Sequence, residues 1–401
     1  MQEKNHSESL IVNNASFFSK TLTIASSLMS LFGIFLLLGF FSRYWQVDEF
    51  NTFVVDMRYM GYVAVIASMS LGYSIASMSE EHDLQSVVFP NASFLTIFNS
   101  LVLGFLYVYF LSKSEVVIFW IVAISYFHIF ISSIRVMSFY GANLYTVLLK
   151  FLFLLVSGLL TIDYPLDSFF AIYGVLLLVV MAYILYLKNF QFPNFSLRII
   201  KALIGHSWSR LLDNSIRMSY YIVPISYVNY MLGVSEAALL ALTLMLLKTL
   251  ESVLQPLLIQ LHIISINNNT YIKSKTIVIY IGITAAFSLI FYQFMNNFGE
   301  AILEFWLGRR EILLLSLLQS SIPAIPAIIV VQYLKGKYES KEQVSPYLLN
   351  NLLNLLFFIC AMFFFSSTVQ DVITLFVLFA WVRLLINWSK TVRINLKLQV
   401  N

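Results

Sequence analysis

The sequence predicts an all-α polytopic membrane protein: about 12 transmembrane helices in two six-helix lobes around a central cavity. Three observations predict it. Of 401 residues, 60% are hydrophobic and 11% charged, where soluble domains run at about 45–50% and about 25%. There are 36 Phe and 23 Tyr, and apolar runs near span length follow one another almost end to end. With 24 basic and 20 acidic side chains, a water-soluble chain of this length could not cover its surface. Soluble enzymes, disordered chains and nucleic-acid binders are thereby excluded.

In chain order, residues 1–19 form a polar cytoplasmic tail with no cleavage pattern, so the first span reads as an uncleaved signal anchor. The N-lobe, 20–187, holds spans at 20–42, 50–78, 88–111, 115–134, 143–161 and 167–187. A polar linker at 188–201, with Pro193, separates it from the C-lobe, 202–388. Spans there lie at 202–231, 236–262, 275–296, 311–334, 345–366 and 369–388, and 389–401 is a cytoplasmic tail. Eleven or thirteen spans are the alternatives. Orientation follows the Lys/Arg bias: with both termini inside, only Arg43, Lys113, Arg309 and Arg310 fall in outer loops. Trp45–Glu49 parallels Leu232–Glu236 at an offset of 187, which suggests a parallel repeat.

Charged side chains inside spans mark cavities or pathways, because each costs about 2.5–3.5 kcal/mol on insertion scales. At 100° per residue, His206, Arg210, Asp213, Arg217 and Tyr220 share one face of span 7. Lys248, Glu251 and Gln255 share one face of span 8. Asp213 can bridge Arg210 or Arg217, and Lys248 can bridge Glu251, so Asp213 and Glu251 divide between structural pairing and coupling. The cations are harder to absorb. Arg58, Lys150, Arg210, Arg217, Lys248 and Arg383 stand against Asp56, Asp213 and Glu251 alone. Snorkelling accounts for Lys150 and Arg58 without a functional role, whereas Arg217, Lys248 and Arg383 lie near mid-depth. Asp56 and Arg58, two apart, point to opposite helix faces. Surplus positive charge in a low-dielectric cavity attracts an anion, and Arg suits phosphate, sulfate or carboxylate oxygens. His206, at the cytoplasmic mouth, adds a titratable group or a neutral hydrogen-bonding one; His128 and His262 carry less weight.

Other signals are weaker. Cys360 is the single cysteine, and no metal-ligand spacing occurs. Pro224, Pro256, Pro323 and Pro326 kink their spans. The Asn-Ala-Ser sequons at Asn14 and Asn91 read as chance. Tyr44, Trp45, Trp306 and Trp388 read as interfacial anchors.

Three segments carry a family resemblance. In Leu36–Phe50, Arg43 precedes the acidic turn Asp48-Glu49; Ser70–Ser77 contains a Ser-Leu-Gly; and Asp213–Pro256 includes Tyr230–Glu236. The chain resembles the polysaccharide-specific flippases (O-antigen or capsule repeat units) of the MOP exporter superfamily. It departs from them at Asn51, where a glycine is usual, and at Ala237-Ala238. The resemblance implies a non-enzymatic transporter of a bacterial inner membrane. Its cargo would be an undecaprenyl-pyrophosphate-linked oligosaccharide, flipped outward by alternating access, with membrane lipids around it. A polymerase and a chain-length regulator would be partners. By resemblance Arg210, Arg217 and Lys248 receive the anionic carrier, and the charge argument adds Arg58 and Arg383. No cofactor is implied; H+ or Na+ coupling through Asp56, Asp213, Glu251 or His206 stays open beside drive by the membrane potential alone.

Two rival functions remain. A MOP-superfamily multidrug/cation antiporter calls for cavity acids, yet span 1 offers Thr23, Ser26 and Ser30. An O-antigen polymerase or polyprenyl-linked glycosyltransferase calls for a large outer loop with a catalytic pair, and the longest, Met295–Glu311, shows none. A lipid II flippase would bring two further helices, and a passive scaffold leaves the cationic stripes without purpose.

Overall fold

A computed structural model of the chain describes residues 33–111, 113–138, 142, 144–146, 148–149, 153–161, 164, 166–190, 195–265, 274–339 and 347–400. Side chains at 73, 153, 166–167, 251–265, 274, 335–339 and 394–400 are outside that description. The elements are α1 (Gly33–Tyr44), α2 (Val47–Ala67), α3 (Leu71–Met78), α4 (Phe89–Leu111), α5 (Val117–Met137), α6 (Phe153–Leu160) and α7 (Leu166–Leu187). There follow α8 (Leu197–Met231), α9 (Val234–Ser265), α10 (Ser274–Leu307), α11 (Ile312–Ser321), α12 (Ile325–Glu339), α13 (Leu348–Phe365) and α14 (Val369–Val400).

The fold is all-α and polytopic. Seven helices among the described residues are long and apolar enough to cross a bilayer unaided. Burial separates central spans from peripheral ones: 72% of the apolar stretch of α5 is buried, but only 22% of that of α10. Peripheral helices turn aromatic faces outward, as Phe94, Phe98, Phe105 and Phe110 do on α4, because lipid accepts them at no cost. The predicted span at 50–78 is two helices. α2 and α3 are separated by Ser68-Met69-Ser70, where Met69 (φ 49°) and Ser70 (φ 54°) are both left-handed. Pro323 produces its expected kink as a 3₁₀ turn, Ile322–Ala324, between α11 and α12. Span 1 before residue 33, Lys150, and the side chains of Glu251, Gln255, Pro256 and His262 lie outside the described residues.

α2 and α3 pack on α4 and α5, and α5 on α7, while α8, α9, α12, α13 and α14 pack on one another. The two groups meet where α2 and α3 touch α8 and α9. Side chains stitch that seam: Asn51 Nδ2 donates to Ser235 Oγ (3.2 Å), Tyr62 Oη and Ser219 Oγ share a hydrogen bond (3.1 Å), and Ser74 Oγ donates to the Leu203 carbonyl (3.2 Å). At one end, hereafter the turn end, the α1–α2 corner lies against the α10–α11 connection: Ser42 Oγ donates to the Leu307 carbonyl and Arg43 Nη2 to that of Phe305. Trp306, expected as an interfacial anchor, instead donates its indole N–H to the Phe35 carbonyl (2.7 Å) and packs on the Phe35 ring. At the opposite, linker end, buried Asn91 accepts from the Ser196 amide and donates to the Val87 carbonyl. That sequon asparagine is a structural tie.

The α8–α9 turn depends on Gly233, at φ 113°, where any side chain is strained by about 1–3 kcal/mol. Gly205 on α8 has no atom within 4 Å of where a Cβ would sit. Gly233→Ala should therefore lower the melting midpoint in detergent by several degrees. Gly205→Ala should leave it unchanged or raise it, by about 0.5–1 kcal/mol of helix stability. Equal effects at both positions would contradict the turn's role.

Candidate functional site

Three cavities gather most of the sequence-predicted cations. The largest, about 620 Å³, is lined by Ser68, Ser70 and Gly72 at the α2–α3 break, His128, Ser132 and Arg135 on α5, and Asn214 and Arg217 on α8. Arg135, exposed in the last turn of α5, marks its mouth at the linker end. The break itself belongs to the site, since irregular backbone at membrane depth is tolerated where it lines a cavity. Asn214 Nδ2 donates to Ser70 Oγ (2.8 Å), tying the left-handed residue to α8. Asn214 Oδ1 in turn accepts from Arg217 Nη2 (3.3 Å), and Arg217 Nη1 reaches Gln332 Oε1 on α12 at 3.5 Å. Arg217 Nε is buried and donates to no described atom. Gly72 permits the approach of α3 to α5, as a Cβ there would collide with the Ser132 side chain.

A second cavity, about 220 Å³, lies nearer the turn end among α1, α2, α5, α6, α7 and α9. Its walls are apolar, from Phe35, Met57, Trp120, Ile124, Tyr173 and Met245 among others, and its charged groups among the described residues are Arg58 and Lys248. Arg58 Nη2 and Trp120 Nε1 are both buried with no acceptor among the described atoms. Lys248 Nζ lies 5.4 Å from the Tyr221 ring centroid, a cation–π contact. The third cavity, about 20 Å³, lies beside Arg383, with Tyr220, Tyr221, Gln332 and Phe376 in its wall. It is too small for an organic molecule.

Arg217, Lys248 and Arg383 share a depth. Each lies fourteen residues from the turn-end terminus of its helix, at Met231, Val234 and Val369, or about 21 Å at about 1.5 Å per residue.

The structure places the sequence-predicted residues in several different settings. The α8 stripe does not face one space: Arg217 lines the large cavity, Tyr220 turns to α13 and donates to Asn354 Oδ1 and the Asn351 carbonyl, and His206 is exposed. Fourteen residues along a helix span about 21 Å, so neighbours change although the angle does not. Arg210 lines none of the three cavities, and Asp213, one turn on, is buried at 2% exposure. Arg58 does not snorkel away; it lines the second cavity. Asp56 pairs with Lys113 of the α4–α5 connection at 2.7 Å. The sequence ends span 4 at 134, but α5 runs on to Met137 and brings Arg135 to the large cavity, which His128 also lines. Among the described residues no carboxylate lines any of the three cavities, and no cluster of His, Cys, Asp or Glu could hold a metal ion.

No protein-family model and no curated protein matches the sequence. Solved structures do. An outward-facing multidrug resistance MATE family transporter of the MOP superfamily superposes with a TM-score of 0.62 at 13% identity, covering 96% of this chain and 97% of that one. An inward-facing conformation of such a transporter gives 0.63 at 14%, covering 94% and 98%. A MOP superfamily transporter from Pyrococcus furiosus, described as having a binding pocket of reverse polarity that suggests a different function, gives 0.57 at 14%, covering 94% and 96%.

These likenesses overturn the resemblance to polysaccharide flippases, and with it the lipid-linked oligosaccharide cargo and the polymerase and chain-length-regulator partners. The physical reason lies in the segments that carried it. Arg43 packs over Phe305, Trp45 stacks on Phe41 at 3.8 Å, Gly233 makes a turn and Ser70 ends a helix break. These residues build helix corners and say nothing of cargo. The chain is a multi-pass membrane protein with the all-α fold and central cavity of the MOP superfamily transporters.

Proposed function

We propose that this chain is an alternating-access transporter of small amphipathic organic anions, bearing a carboxylate, sulfate or phosphate. It would work in a bacterial inner membrane with both termini cytoplasmic. One observation carries the reading: among the described residues, the charged groups lining the two larger cavities are Arg58, Arg135, Arg217 and Lys248, and no described carboxylate lines either. In a low-dielectric site such groups hold anions by charge-assisted hydrogen bonds and repel cations. Arg58 Nη2, Trp120 Nε1 and Arg217 Nε are donors awaiting acceptors, and apolar walls beside Arg58 and Lys248 suit an apolar body. The P. furiosus transporter with a pocket of reverse polarity supports the view that this fold does not fix the sign of its cargo.

In this mechanism the lobes 20–187 and 202–388, joined by 188–201, rock across the α2–α3/α8–α9 seam. Cargo enters past Arg135, passes Arg217 and reaches the pocket of Arg58 and Lys248. Export of each negative charge from an inside-negative cell gains about 2.3 kcal/mol per 100 mV. Proton or sodium coupling would act through Asp56 or Asp213. The second reading is a multidrug or cation antiporter, favoured by the multidrug resistance transporters that share the fold.

Transport by proteoliposomes of an anionic dye, 8-anilinonaphthalene-1-sulfonate, against cationic ethidium separates the two readings. The anion should move and ethidium should not. Arg217→Ala or Lys248→Ala should cut anion transport about tenfold or more, the loss of one hydrogen bond to a charged group at about 1.5–3 kcal/mol. Ethidium transport without anion transport would establish the antiporter reading instead. Asn214→Ala removes the tie on Ser70, worth about 1 kcal/mol. It should slow transport about fivefold while dye affinity holds, and an unchanged rate would exclude the break from the cycle.

A further inference from the structure

A second cluster of buried polar groups lies among α8, α13 and α14, apart from the path proposed for cargo. Arg383 Nε donates to Asn351 Oδ1 at 2.9 Å, and Asn387 Nδ2 donates to the same oxygen at 3.1 Å. The Arg383 guanidinium lies 4.8 Å from the centroid of the Tyr220 ring, whose hydroxyl is itself spent on Asn354 Oδ1 and the Asn351 carbonyl. These contacts orient the arginine but supply no negative charge. No described carboxylate forms an ion pair with it. Two donors, Arg383 Nη2 and Asn354 Nδ2, and one acceptor, Asn387 Oδ1, remain buried and unmatched among the described atoms.

Arg383 is partly buried, but its Nη2 is shut away from solvent; a guanidinium group without a counter-charge is costly to desolvate, and ring and amide contacts recover only part of that. The remedy that the structure leaves room for is small. The cavity of about 20 Å³ beside Arg383 holds one particle of about water size. The apolar side chains of Ile328, Val331, Phe376 and Ala380 share its wall with Gln332 and the tyrosines. The space suits a monatomic ion better than a tetrahedral oxyanion or an organic acid.

We propose that Arg383 and this cavity form a buried site for one small inorganic anion of the halide class. The ion completes the coordination of Nη2 and neutralises the guanidinium inside the bundle. It lies one side chain from the large cavity, because Gln332 lines the small one and accepts from Arg217 Nη1. The site takes its place from the geometry of the C-terminal helices, not from the cargo proposed above, and stands whichever sign that cargo has.

The test is the thermal midpoint of the purified full-length protein in detergent, with sodium chloride, bromide, gluconate or sulfate at equal ionic strength. Chloride and bromide should raise the midpoint saturably, and gluconate and sulfate should not. Arg383→Gln should abolish the halide response, while Arg217→Gln should retain it. Should Arg383→Gln fail to fold, Ala380→Val fills the cavity and leaves the arginine in place; it too should abolish the response. Equal midpoints in chloride and gluconate, or a chloride response that survives in Ala380→Val, would overturn the site and leave water as the occupant. Neither result bears on dye transport, so the two proposals fail separately.

Discussion

The constraint on which the rest depends is the cost of positive charge inside a bilayer. A charged side chain at mid-depth disfavours insertion by several kcal/mol unless it meets water, an opposite charge or a dense set of acceptors. This chain accepts that cost at Arg58, Arg217, Lys248 and Arg383, and the helices are arranged around it. The seam between α2–α3 and α8–α9 opens into space at Arg217, the α1–α2–α9 junction opens beside Arg58 and Lys248, and the asparagines of α13 and α14 are recruited to hold Arg383. Among the described residues, Asp56 and Asp213 line none of these spaces. Asp56 is paired from a loop by Lys113, and Asp213 is buried in α8.

The break at Ser68–Ser70 follows from the same logic. A continuous helix through residues 47–78 would leave no bend for the cavity wall, and two consecutive left-handed residues that are not glycine are unfavourable. Asn214 makes the conformation tolerable by donating to Ser70 and at the same time accepting from Arg217. One amide thus links backbone shape to the charged group that the cavity serves. Conformational change in this region is therefore inseparable from a change in the surroundings of Arg217.

Much of this was legible in the chain. Apolar runs at about 20 residues place the spans, because lipid leaves helices no alternative, and the mid-depth cations stand out against so few charges. What was not legible has physical causes. Helical periodicity gave His206, Arg217 and Tyr220 one face, yet α8, at 35 residues, passes different neighbours along its length. The break in the second span has no proline to announce it; Met69 and Ser70 are held by a tertiary bond. Arg135 enters the site because α5 runs past residue 134, and His128 because it faces the large cavity, which no periodicity announces. The resemblance to polysaccharide flippases misled for a related reason: corner and turn residues are shared across a fold, while cargo is read by side chains on the cavity wall.

The sign of the charge that binds beside Arg217 and Lys248 is open to direct test. The most direct measurement is the charge displaced when ligand binds the protein adsorbed on a solid-supported membrane. Addition of an amphipathic organic anion should give a saturable transient of negative charge moving into the protein. That transient should be lost when Arg217 and Lys248 are both replaced by glutamine, and organic cations should give none. A saturable positive transient with cations, persisting in that double variant, would contradict the account.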